Sequence, residues 1–283
     1  MAARTWRIAG RELDEAIKAG NPSAPVFARR ALLNRAQGNL DFALADAKQA
    51  LEAADLPEID LLNCVRLIVD IGSEEVLEHI DEAVAVQRRD AETRYTICQE
   101  LMTSVDGLPV AERMLRRIRS EPAIDPLLQR KARTQLCLSL ISQQRYEEAM
   151  QIIADSRQQA HDLPETADTF NYAMAEWGKT GVPPNDLFAR VLKLEVKEEG
   201  KGANYFQCMA ISNYVVGNES EARKYVNLAR REVRLNPRRN FSAWRYLETR
   251  SNQFRTDLDA IDQLINGHNL QPDFIVRPRK LFS

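Results

Sequence analysis

Glu75, His79 and Glu82 stand at spacings of four and three in "EEVLEHIDE". On a helix this puts two carboxylates and an imidazole on one face. Convergent N and O donors of that kind can form half of a metal site. No second half-site accompanies them, so the stretch reads as a solvated helix face, and no metal or other cofactor is expected. Three histidines in the whole chain are too few for most acid–base schemes. His161 and His268 fall near expected helix ends, where a cation meets the helix dipole favourably. "EEGKGANY" at 198–205 contains Gly-Lys-Gly but lacks the earlier glycine and the following Ser or Thr of a phosphate-cradling loop, so it reads as a connection between helices. Dinucleotide-binding, zinc-protease and nucleophile-elbow patterns are absent. No catalytic residue is assigned and an enzyme is not expected.

Cys64, Cys98, Cys137 and Cys208 are scattered and form no CxxC. They read as small buried hydrophobes rather than metal ligands or disulfide partners. The arginines are clustered. Arg113, Arg116, Arg117 and Arg119 lie in "ERMLRRIRS"; Arg230, Arg231, Arg234, Arg238 and Arg239 lie in "RREVRLNPRR"; Arg277, Arg279 and Lys280 lie in "RPRK". Guanidinium suits bidentate contact with carboxylate or phosphate. A solvated surface, an acidic partner and a nucleic acid all remain open for these clusters. No aromatic stacking platform accompanies them, so nucleic acid is not the expected partner.

The elements that carry these residues are helices. Hydrophobic residues make up 44% of the 283, aromatics only 7%, and Gly and Pro are few, which favours helix over sheet. The net charge of −2 is unevenly spread. Residues 1–110 carry 12 Lys+Arg against 19 Asp+Glu, whereas residues 223–283 carry 13 against 6. No apolar run approaches the ~20 residues of a membrane span. "MAARTWRIAGRELDEAIKAG" has no continuous apolar core and does not read as a secretory signal; it reads as an amphipathic helix. A cytoplasmic protein is expected.

In "AQGNLDFALADAKQALEAADLP", Leu40, Ala43, Leu44, Ala47 and Leu51 share one helical face, after a tight turn at Gly38-Asn39. Val26, Phe27, Ala31 and Leu32 form a second face upstream. Two helices joined so closely lie antiparallel, and small residues at Ala31 and Ala43 allow close approach. The twelve-residue interval recurs in Cys137–Ala149 and Ala210–Ala222. Ala43, Ala149 and Ala222 are 106 and 73 residues apart, close to three and two periods of about 35. A further unit is expected at 241–272, on Trp244, Leu247, Ala260, Gly267 and Pro272. Less regular helical pairs are expected at 59–87, 90–120 and 164–198.

This pattern resembles the tetratricopeptide repeat family, through Phe27, Ala31, Gly38, Ala43 and Ala50 in one unit and Trp244, Leu247, Ala260 and Pro272 in another. The resemblance implies an all-α, right-handed superhelical solenoid of about seven antiparallel helix pairs over residues 1–268. Residues 1–22 would hold an N-terminal capping helix, and 269–283 a basic, non-helical tail. The resemblance also implies a concave groove lined by first helices that binds a peptide or helix of a partner protein. Carried onto this chain, the groove positions are Leu32, Arg35, Lys131, Thr134, Leu138, Asn204, Gln207, Ile211, Tyr214, Arg245, Thr249 and Asn252. The expected role is a non-catalytic scaffold or adaptor. The alternative is a regulatory protein that uses its Arg-rich C-terminal end on nucleic acid or an acidic partner. A homo-oligomer remains open. In "HNLQPDFIVRPRKLFS", Phe274 and Val276 either cap the last helical pair or dock into a partner.

Overall fold

A computed structural model describes residues 2–20, 23–54, 56–72, 74–86, 89–159, 166–194, 202–237, 240–242 and 248–267. The chain is all-α, with fourteen helices and one short strand pair among the described residues. No helix there is long and apolar enough to cross a membrane. The described residues group into two compact units, 2–124 and 125–267.

In the first unit, α1 (Ala2–Lys18) packs on α2 (Ala24–Ala36). α2 pairs with α3 (Leu40–Leu51) and α6 (Ala91–Leu101) with α7 (Leu108–Ser120); between them α4 (Glu58–Ile71) is followed by α5 (Glu74–Val86). The first helices α2, α4 and α6 lie side by side in one layer, and α3, α5 and α7 in the other. Pro25 and Pro109 sit in first turns, where a missing N–H costs nothing. Asp90 caps α6, accepting the Thr93 N–H at 2.7 Å. The core is aliphatic: Leu61, Val65, Leu67 and Ile68 of α4, Leu77 and Ile80 of α5, and Ile97 and Leu101 of α6 are fully buried.

The second unit holds the pairs α8 (Pro126–Ser142) with α9 (Tyr146–Gln159), α10 (Thr166–Thr180) with α11 (Asn185–Lys193), and α12 (Ala203–Val215) with α13 (Glu219–Leu235). Three hairpins, one in the first unit and two in the second, share one geometry. Ala31 and Ala43, Cys137 and Ala149, and Ala210 and Ala222 are all at 0% exposure. The Cys137 thiol reaches the Ala149 carbonyl at 3.8 Å across the crossing. Each first helix ends on a left-handed residue: Gly38 (φ 80°), Gln144 (φ 61°) and Gly217 (φ 85°). The N–H that follows each returns to a carbonyl five residues back: Asn39 to Asn34 at 2.9 Å, Arg145 to Leu140 at 2.9 Å, and Asn218 to Asn213 at 2.8 Å. This is the Schellman closure, which glycine favours because it lacks a Cβ. Gln144 makes the same turn without that freedom.

The C-terminal end departs from the expected helical pair. β1 (Asn240–Ser242) pairs antiparallel with β2 (Glu248–Arg250), and a single helix α14 (Ser251–Ile265) follows. The pairs therefore number six among the described residues, not about seven. Residues 240–250 contain Phe241, Trp244 and Tyr246, whose ring side chains suit strands better than helices. α14 packs on α12 and α13 and buries Phe254, Leu258, Ile261, Leu264 and Ile265. The tail 269–283, with Phe274 and Val276, lies outside the described residues.

Candidate interaction surface

Ion pairs repeat at the spacing of the helical pairs. Arg35 on α2 donates to Asp70 on α4, thirty-five residues on. Arg66 on α4 donates through Nε (2.9 Å) and one terminal nitrogen (2.8 Å) to Glu100 on α6, thirty-four residues on. In the second unit Arg133 on α8 donates to Asp168 on α10 at 2.7 Å, again thirty-five residues on. The second helices carry the same relation with the signs exchanged. Arg113 and Arg117 of α7 reach back to Glu78 and Asp81 of α5, the latter contact at 2.5 Å. Arg35 and Asp70 both sit in the last turn of their helices, so α2 and α4 run parallel.

These pairs change the meaning of several cations. Arg113 and Arg117, read as a solvated face or a site for an acidic partner, meet an acidic helix of their own chain. Arg116 joins Glu112 one turn away at 2.8 Å. Arg230 joins Asp259 at 2.6 Å and Asp262 at 3.2 Å on α14. Arg231 and Arg234 are exposed on α13, while Arg238 and Arg239 lie outside the described residues.

The expected groove positions divide in the same way. Arg35 is bound to Asp70. Lys131 is exposed on α8, and Thr134 is half-buried there. Leu138 and Ile211 are buried at 5% and 1% exposure, so they pack inside rather than face a ligand. Gln207 is buried as well, and among the described residues its Nε2 has no hydrogen-bond partner; Asn204 Oδ1 is in the same position one turn earlier. Tyr214 is half-buried. Asn252 is exposed on α14, where its Oδ1 accepts the Gln253 N–H. It belongs to a lone helix, not to the first helix of a pair. Thr249 lies on β2, and Arg245 lies outside the described residues.

α4 shows which face stays open. It is enclosed by α2, α3, α5 and α6, and its buried residues run through Asp60, Leu61, Cys64, Val65 and Leu67–Asp70. Its solvent-reaching positions before the last turn are Glu58, Ile59, Leu62, Asn63 and Arg66, one stripe at helical spacing. On α6 the matching stripe is Glu92, Tyr95, Thr96 and Gln99, and on α2 it includes Arg29, Leu32 and Arg35. Ile59, Leu62, Asn63 and Tyr95 are not among the groove positions that the repeat pattern implies. Their only signal was the i, i+3, i+4, i+7 spacing of non-core positions, in segments with no repeat signature.

Among the described residues the other chemistry-bearing groups are partly or fully buried. Burial pushes the thiols of Cys64 and Cys208 up to about 12 and that of Cys98 higher still, so none is a nucleophile at neutral pH. His79 is half-buried on α5, with Nδ1 4.0 Å from Glu82. Among the described residues no group of three His, Cys, Asp or Glu is placed to hold a metal. The Glu75 side chain, His161 and His268 lie outside them. A cleft of about 460 Å³ opens between α1, α2 and α3. Arg30 on its wall is held by Asp14 at 3.1 Å and Asp46 at 2.7 Å, so its charge is balanced within the chain. No protein-family model matches the chain, and no curated protein matches it.

Proposed function

We propose that the chain is a non-catalytic interaction scaffold of the tetratricopeptide kind. Its helical pairs would stack as a right-handed solenoid, and a segment of a partner protein would lie along the open faces of the first helices. The observation that carries this is the single open stripe of α4, on a helix otherwise enclosed. Stacking leaves one face of each first helix uncovered, and successive faces add up to a continuous surface. The ion pairs at separations of 34 to 36 residues support a repeat of that length. Four free cysteines are in keeping with a reducing, cytoplasmic setting.

A photo-crosslinking amino acid placed at Leu62 or Thr134 tests this in the native cell. Both positions should give a discrete adduct with a protein partner, while the same probe at Ala45, exposed on α3, should not. Adducts from Ala45 with none from Leu62 would move recognition to the other layer.

A further inference from the structure

We propose that the open face of α2, α4 and α6 takes an acidic partner segment that also carries aliphatic side chains. This rests on the scaffold reading and adds the chemistry of the segment. Residues 2–124 hold 16 Lys+Arg against 21 Asp+Glu, so an average face of this unit is mildly acidic. The open face presents more cations than acids to solvent. Arg29, Arg35 and Arg66 occupy it, while its acids, Glu58 and Glu92, stand in the first turns of α4 and α6. There an acid complements the helix dipole. Since the first helices run parallel, those two acids line one rim, with Arg29 and Arg66 in the middle and Arg35 toward the opposite rim.

Asp70 and Glu100 balance part of the charge of Arg35 and Arg66 but lie beneath them. They are 8% and 3% exposed, whereas the side chains of Arg35 and Arg66 are 37% and 39% exposed. A partner touching the face therefore meets guanidinium edges. A guanidinium has five N–H donors. Arg35 uses one on Asp70, and Arg66 uses two on a single oxygen of Glu100, which leaves donors for incoming carboxylates. The buried acids also hold both arginines in place, so less side-chain freedom is lost on binding. Arg29 is exposed and has no ion-pair partner among the described residues. Leu32, Leu62 and Ile59, the last 62% exposed, lie among these cations. They supply the apolar contact area an interface core needs. A basic segment would meet the like charge of Arg29 and the guanidinium edges of Arg35 and Arg66 and is disfavoured there.

Selection of short random displayed peptides on the full chain tests the inference. Enriched sequences should combine Asp or Glu with Leu, Ile or Val, and their binding should weaken as salt rises. Arg29→Glu and Asn63→Glu touch no ion pair, so melting curves should stay those of the wild type. Each should weaken a selected acidic peptide by about fivefold. Ala45→Glu, on the opposite layer, should leave it unchanged. Enrichment of basic or neutral peptides that Arg29→Glu does not weaken, but that compete for the same face, would overturn the acidic assignment and leave the scaffold standing. Enriched peptides indifferent to both face variants, or no enrichment at all, would overturn the scaffold and the inference together.

Discussion

Arg35 donates to Asp70 across the α2–α4 contact, and Asp70 is 8% exposed while the Arg35 side chain is 37% exposed. The half-open position of the arginine means that solvent screens part of the attraction. Removing it takes one partner from a carboxylate in a nearly dry site. Arg35→Met should destabilise the chain by about 1–2 kcal/mol in denaturant melts. The double variant Arg35→Met, Asp70→Leu should recover most of that loss. A cycle with no coupling between the two positions would show that the pair contributes nothing to stacking.

Gln144 holds φ at 61° where the other two hairpins use Gly38 and Gly217. A side chain in the left-handed region is strained, by about 1–2 kcal/mol. Gln144→Gly should therefore stabilise the protein, by about 0.5–1 kcal/mol after the added freedom of the unfolded glycine is counted. A fall in melting temperature would mean that Gln144 makes contacts that outweigh its backbone strain.

Ala149 and Ala222 are fully buried at helix crossings, and Ala149 lies against Cys137. Enlarging either side chain pushes two helices apart. Ala149→Leu and Ala222→Leu should each cost roughly 1–3 kcal/mol. Wild-type stability of the double variant would show that the crossings are loose.

The thiols of Cys64 and Cys208 are raised by burial from 9.0 to about 12. Below pH 9 they are neutral in both the folded and unfolded chain. Between pH 9 and 12 the unfolded thiols lose protons and the folded ones keep them, so stability falls as pH rises through that window. Cys64→Ala and Cys208→Ala should flatten part of this decline in thermal melts taken across the range. In the native protein near pH 8, labelling of Cys98 and Cys137 by a thiol reagent should be slow, and it should become fast on unfolding. Rapid native labelling would contradict their burial.

Local signals in the chain were enough for the helices and for three of their hairpins. Ala31, Gly38 and Ala43 announce a tight αα turn because each acts on its own backbone or its immediate neighbour. The same holds for Ala210, Gly217 and Ala222. Even the irregular pairs at 59–87, 90–120 and 164–198 were visible, since apolar residues must recur every three or four positions to bury one side of a helix. At 240–242 and 248–250 short strands stand where the repeat pattern of Trp244 and Leu247 implies a helix, because a pattern match carries no information on strand pairing. The partners of the arginines depended on tertiary structure. Arg113 and Arg117 look like a surface for an acidic ligand until α7 is laid against α5, and Arg35 looks free until α4 is laid against α2. A charge pair some 35 residues apart leaves no mark in local spacing, because its energy exists only when two helices are brought within about 3 Å at those side chains. Which face of α4 stays open was likewise settled only by packing. Four neighbouring helices cover the rest of it, and what they leave uncovered is Ile59, Leu62, Asn63 and Arg66.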